Sequence, residues 1–225
     1  MNALSVVLQL AVVLFAVVVH ETSHGYVAYL LGDPTAKYSG RLTLNPLHHI
    51  DPVGTVILPL FLALFHMPIF GWAKPVPVNP ARFRDWRKGM MLVAIAGPGS
   101  NIALGAASGI LLIFLRKLSP ASVFFAIRFM REGGPLPFIS LFVLLFIYSF
   151  LINFFLALFN LLPIPPLDGS RVLAWLLPRR LLPGYYSMER YGILILFLFI
   201  YMDSYIGILN AMASPIYYLL NRILL

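Results

Sequence analysis

Apolar residues along this chain fall in long continuous runs, not in the alternating or helical-stripe patterns of a water-soluble domain. Four runs are long enough to cross a bilayer as helices: Leu4–Leu30, Gly89–Leu115, Phe138–Leu162 and Tyr191–Asn210. About 20 apolar residues suffice to span the roughly 30 Å hydrocarbon layer. A fifth run, Val53–Phe70, is shorter and is interrupted by Pro59 and Pro68. It suits a re-entrant or kinked segment packed against protein. Between the runs, Ala36–Asn45 partly alternates, and Lys74–Asn79 carries prolines at alternate positions, which forbid helix. These two pieces are expected to pair as short β-strands, offering an edge to which an extended peptide can add. Ser119–Pro135 reads as a polar-aromatic loop with a short interfacial helix around Phe124–Met130.

The expected fold is therefore an α-helical polytopic membrane protein. It has about four full transmembrane helices, a re-entrant or kinked hydrophobic segment and short β-strands near one face.

Composition agrees. The 225 residues are 60% hydrophobic and 11% charged, with a mean hydropathy of +0.90. Soluble domains are about 45–50% apolar and about 25% charged. The length suits one membrane domain spanning residues 1–225 and leaves little room for a soluble module. The net charge of +8 is assigned to basic loops beside anionic lipid headgroups, and nucleic acid is not expected as a partner. No cysteine is present, so any metal must be held by His, Asp, Glu or Asn. The N-terminal run lacks a basic n-region and a small-residue cleavage site, and is read as a mature first helix.

The basic residues also bear on topology. If Val53–Phe70 dips in and returns, Lys37, Arg41, Lys74, the 82–88 cluster and the 171–180 cluster share one face. If it crosses, the Lys and Arg divide almost evenly. The positive-inside rule favours the first arrangement, a multi-pass protein of the cell membrane with these loops cytoplasmic.

The candidate chemistry begins at the end of the first run, with His20-Glu21-Thr22-Ser23-His24. Residues four apart share a helix face, so His20 and His24 can hold one zinc ion, with Glu21 beside them as a base for a bound water. A catalytic zinc commonly takes a third protein ligand and keeps an open position. The best candidate is Asp168, in Asn160-Leu-Leu-Pro-Ile-Pro-Pro-Leu-Asp168-Gly169. Pro163, Pro165 and Pro166 must break the helix there. A broken helix with a carboxylate at membrane depth is expensive and marks a functional site. The competing reading of Asp168 is an N-cap for Gly169–Leu177. Other polar residues have blander readings. His48, His49 and Asp51 suit a loop network, His66 is structural, and Gly25, Gly105 and Gly109 suit helix contacts. Asn101 follows Gly97 and Gly99; its amide suits helix packing or reaches the active site.

HETSH on the first span, Gly97-Pro98-Gly99-Ser100-Asn101 in a later one and NLLPIPPLDG closing another resemble the site-2 protease family of intramembrane zinc metalloproteases. RLTLNPLHHIDPVGT and FGWAKPVPVNP look like its minimal bacterial and archaeal branch, without PDZ-like or CBS-like modules. The resemblance covers roughly Leu14–Arg171. It implies His20, His24 and Asp168 as ligands of one zinc per chain, Glu21 as general base, and Asn160 as a contact to substrate backbone or oxyanion. Asn101 is a further candidate for that contact. Asp168-Gly169-Ser170 departs from relatives that carry a second glycine. The implied reaction is cleavage of a peptide bond in or near a transmembrane segment of a membrane-protein substrate, from the cytoplasmic side. The alternatives are an inactive client-binding relative and a metal or proton transporter.

Overall fold

The computed structural model of the protein describes residues 3–57, 61, 64 and 73–225. In chain order the helices are α1 (Ala3–Leu30), α2 (Thr35–Tyr38), α3 (Trp86–Leu118), α4 (Pro120–Glu132), α5 (Phe138–Asn160), α6 (Asp168–Leu176), α7 (Leu182–Met188), α8 (Gly192–Ile206) and α9 (Ile208–Leu224). Helices α1, α3 and α5 are each long and apolar enough to span a bilayer. They pack against one another as the centre of the molecule.

Burying apolar surface against protein gains little where the alternative is lipid, so small residues and interhelical hydrogen bonds must hold these helices together. The sequence of α3 supplies both. Gly89, Val93, Gly97, Asn101, Gly105 and Gly109 recur every four residues and so line one face. A Cβ at Gly105 would stand 2.8 Å from the Phe154 ring, and one at Gly109 would stand 3.1 Å from Phe150. Helix α5 thus lies against bare backbone. Helix α1 answers with its own buried series Val12, Ala16, His20, His24 and Ala28. Below the polar level, Leu112, Val143, Leu144, Ile147 and Phe150 form an apolar core that α4 and α9 extend with Val123, Phe129, Ile216 and Leu220. The outward faces carry Leu10, Phe15, Ile110, Phe114 and many other exposed apolar side chains, as expected of a surface solvated by lipid.

Four expectations need correction or restriction. The fourth run does not form one straight span. It breaks at Gly207, which adopts φ +74°, and α9 leaves at 70° to the helical stretch before it. The break is built in locally: Gly207 N–H donates to Asp203 O, and Leu209 N–H donates to the Asp203 carboxylate at 3.0 Å. Among the described residues there are thus three helices able to span, or four if the bent pair counts as one.

The short β-strands are not present among the described residues. Thr35–Tyr38 is a helical turn, and residues 73–79 have no regular secondary structure, with Lys74 N–H donating to His49 O at 2.9 Å. Pro75 and Pro77 have no N–H to give a ladder. Val76 N–H goes instead to Glu21 Oε2 at 3.0 Å, and Asn79 N–H to Asp33 Oδ2 at 2.6 Å. Carboxylates of the α1 end have taken the donors a partner strand needed. Finally, Val53–Phe70 lies mostly outside the described residues; its described beginning, Pro52–Ile57, is a wide helical turn. The short helix expected at Phe124–Met130 is longer, running as α4 from Pro120 to Glu132.

Candidate metal centre

His20 and His24 lie one turn apart on α1, buried, with ring centroids 4.6 Å apart. Asp168 opens α6, just beyond the break that Pro163, Pro165 and Pro166 impose after α5. The fold brings its Oδ2 to 3.1 Å from His20 Nε2 and 3.4 Å from His24 Nε2. Oδ2 is buried and makes no hydrogen bond. The competing N-cap role is not what α6 uses Asp168 for: Leu167 is the cap residue, and no side chain caps the helix.

These atoms fit a zinc ion. Ligand atoms about 2.1 Å from a tetrahedral zinc stand about 3.4 Å from one another, and two imidazoles with a carboxylate are a common catalytic donor set. The ring orientations fit as well. His24 Nδ1 lies 2.7 Å from Val93 O, and a carbonyl can only accept, so Nδ1 carries a proton and Nε2 is the nitrogen turned toward a metal. His20 Nδ1 lies 2.6 Å from Asn101 Oδ1 and is held the same way. Space is reserved on the remaining side. A Cβ on Gly97 would fall 2.5 Å from His20 Nε2 and from His24 Nε2, so only glycine leaves the ligand atoms clear.

Glu21 stands beside the pair, with a carboxylate oxygen and the ligand atoms of His20 and His24 all within 4.8 Å of one another. Val76 N–H engages its Oε2, which leaves Oε1 without a protein partner among the described residues. The four residues open onto a cavity of about 720 Å³. Its walls are mostly apolar and include Val17, Leu156, Phe159, Leu196 and Ile200, with Pro75 and Val76 from the 73–79 segment.

Asn160 also lines this cavity, one amide hydrogen given to Leu156 O at 2.9 Å. Asn101 is fully buried behind His20; Oδ1 meets the imidazole, and Nδ2 donates to Asn153 Oδ1 at 2.9 Å and to Ala16 O at 3.3 Å. Its packing and its contact to the site are one arrangement. His49 is buried in the loop layer, bonded through Nε2 to Thr43 O at 2.9 Å, apart from this centre.

Helix α6 is positioned from both ends. At its start, a Cβ on Gly169 would lie 2.1 Å from Leu161 O, so α6 abuts the last turn of α5. At its end, Arg87 Nη2 donates to Ala174 O, Trp175 O and Leu177 O at 2.7 to 3.1 Å. The guanidinium satisfies carbonyls that a helix terminus leaves open. Tyr185 donates to Ser170 O at 3.0 Å, and Arg171 pairs with Glu189 at 2.7 Å.

Sequence reading alone overlooked Val93, Asn153 and Arg87. Val93 acts through its main chain and leaves no sequence signal. Asn153 did leave one, since an amide in the middle of an apolar span is costly unless engaged.

Residues 8–202 match peptidase family M50. YwhC of Bacillus subtilis, named "Putative zinc metalloprotease YwhC", is 40% identical over 176 residues, covering 78% of this chain and 72% of its own. MJ0611 of Methanocaldococcus jannaschii carries the same form of name and is 40% identical over 83 residues, 37% of this chain and 32% of its own. Rip2 of Mycolicibacterium smegmatis, named likewise, is 30% identical over 161 residues, 69% of this chain and 52% of its own. No solved structure matches the chain. A family model matched over residues 8–202 and a relative 40% identical over 78% of the chain place this protein in peptidase family M50, the site-2 protease family.

Proposed function

We propose that the protein is a zinc-dependent endopeptidase that cuts a peptide bond in or beside a transmembrane segment of a membrane-protein substrate. The observation that carries this reading is the meeting of Asp168 Oδ2, buried and without a hydrogen bond, with the Nε2 atoms of His20 and His24 beside Glu21. One zinc held there supplies a Lewis acid that acidifies water and polarises a carbonyl.

The chain's own residues do the rest. Glu21 Oε1 takes the proton of the attacking water and returns it to the departing amine, while Val76 N–H holds Oε2 and so fixes the carboxylate. Asn160 has a second amide hydrogen to offer a substrate carbonyl as charge develops on its oxygen. A substrate helix hides its carbonyls in its own hydrogen bonds, so it must unwind to enter. The apolar cavity walls accept its side chains. The active face is cytoplasmic in this reading, with water entering from that side.

The test is Glu21→Gln in the purified protein, reconstituted with a single-span reporter substrate. Cleavage is expected to vanish while zinc content stays at that of the parent. Cleavage persisting in the variant would sink the assigned base. Zinc retained with no cleavage by the parent of any single-span substrate would favour the client-binding alternative, and zinc or proton flux surviving in the variant would favour the transporter.

A further inference from the structure

A chain of buried polar groups runs from His20 across three helices. His20 Nδ1 meets Asn101 Oδ1 at 2.6 Å on α3, and Asn101 Nδ2 meets Asn153 Oδ1 at 2.9 Å on α5. Asn153 Nδ2 then donates to Ser149 O at 2.9 Å and reaches Ser149 Oγ at 3.2 Å. Ser108 Oγ closes the chain on Ser149 Oγ at 2.7 Å. Asn101 and Asn153 are 0% and 1% exposed, so no solvent competes for their amides.

The chain has a direction, fixed at its far end. Ser149 O is a main-chain carbonyl and can only accept, so the group of Asn153 facing it must be the NH₂. Asn153 Oδ1 therefore faces Asn101 and accepts from it. Asn101 must present Nδ2 to that oxygen, with Ala16 O, a second obligate acceptor, on the same side. Only Oδ1 of Asn101 remains for His20, whose Nδ1 must then be the protonated nitrogen. Its Nε2, 3.1 Å from Asp168 Oδ2, is the nitrogen turned toward the site.

We infer that Asn153 is a positioning residue for the metal centre: it locks the Asn101 amide, and through it the tautomer and orientation of His20. It touches neither ligand atoms nor cavity. The inference rests on the zinc reading for its consequence, although the lock on His20 exists with or without metal. The two histidines differ here. His24 is oriented by the Val93 main chain, which no substitution removes, whereas His20 depends on two side-chain amides in series.

Two variants of the full-length protein test it. Asn153→Leu keeps the volume but takes away the oxygen that Asn101 Nδ2 requires. Asn153→Asp keeps an oxygen for Asn101 in either protonation state. Zinc affinity, read by chelator competition, is expected to fall about tenfold in N153L, the low end of the cost of losing an outer hydrogen bond to a ligand. In N153D it should stay within about threefold of the parent. In metal-free protein, imidazole ¹⁵N shifts of His20 should report Nδ1–H in the parent and in N153D, and mixed tautomers in N153L.

Unchanged affinity and an unchanged His20 tautomer in N153L would overturn the inference. Equal losses of affinity in both variants, in step with equal drops in apo-protein melting temperature, would also overturn it and make Asn153 a packing residue. If the parent binds no zinc, the zinc reading fails separately, and the His20 tautomer still decides whether Asn153 sets it. If N153L does not fold, N153D must keep the parent's tautomer or the inference falls.

Discussion

His20 and His24 sit on a 28-residue helix inside the bundle, with both Nδ1 atoms committed to fixed acceptors on α3. Asp168 sits at the first residue of a nine-residue helix beyond a proline break, and its Oδ2 has no hydrogen bond at all. The histidine half is ordered by what touches the rings. The aspartate half is ordered by what holds a small helix at its two ends, at Gly169 and at Arg87. A carboxylate accepts from several directions, so placing the helix is enough to deliver it. An imidazole must present one particular nitrogen, so its far side has to be chosen as well. One centre thus carries two kinds of precision, and substitutions should separate them.

The largest effect is expected at Gly97, where the histidine half has no room. Gly97→Ala puts a Cβ 2.5 Å from both ligand nitrogens. Zinc binding should weaken by on the order of a hundredfold, about 3 kcal/mol of overpacking at the ligand atoms. Gly99→Ala is the control, since nothing lies within 4 Å of a Cβ there, and zinc titration should not distinguish it from the parent.

On the aspartate side, Gly169→Ala drives a Cβ into the Leu161 carbonyl. The backbone of α5 cannot yield as a flexible side chain would, so about 1–3 kcal/mol is expected. Part should appear as a lowered melting temperature and part as lost zinc affinity. If only the melting temperature moves, Asp168 is not delivered by α6 as a rigid piece.

An effect of similar size is expected at Arg87. Arg87→Ala leaves three carbonyls at the α6 end without their donor, at a cost of about 1.5–3 kcal/mol for charge-assisted bonds. Arg87→Lys should recover part of it, because an ammonium cannot reproduce the planar fork. Zinc affinity should fall in both while the His20 ¹⁵N shifts stay unchanged, which separates the two halves of the site directly.

The smallest effect belongs to Asp33, which ties the turn after α1 to the 73–79 segment. Burial alone would raise its pKa. Hydrogen bonds from Asn79 N–H and from Thr35 outweigh this, Arg82 adds a positive charge at 3.7 Å, and the carboxyl is held below its ordinary value. A carboxyl depressed in the folded state stabilises above its unfolded pKa of about 3.9 and loses that contribution as pH falls through the folded value. Asp33→Asn should therefore lower the melting temperature at neutral pH by an amount equivalent to about 1 kcal/mol. The gap to the parent should close below about pH 4. A gap that does not change with pH would deny the ionised form any part in the tie.

Much of this was legible in the residues themselves. The ends of α1 and α5 fall within two residues of where hydropathy and the 163–166 prolines put them. The HETSH spacing placed two imidazoles on one face because helix geometry is local. The errors came where neighbours intervene. Residues 74–79 looked like a strand, but the Val76 and Asn79 amides go to Glu21 and Asp33 and that of Lys74 to the His49 carbonyl, so no ladder forms there. Tyr191–Asn210 looked like one span by hydropathy, which does not register that Gly207 and the Asp203 carboxylate can end a helix midway. Asn153 was passed over although an amide inside an apolar run is costly unless engaged, because its partner Asn101 lies on another helix.

By itself, the sequence determined that this is a membrane protein, where its long helices run, and which side chains are chemically able to hold a metal, since hydropathy, proline and i,i+4 spacing all act within a few residues of chain. Only the tertiary structure decided that side chains nearly 150 positions apart meet within 3.1 Å, which nitrogen each histidine turns toward Asp168, and why Gly97 has to be bare. Those outcomes depend on backbone carbonyls, amides and empty volume contributed by other helices, and no stretch of sequence carries them before the helices meet.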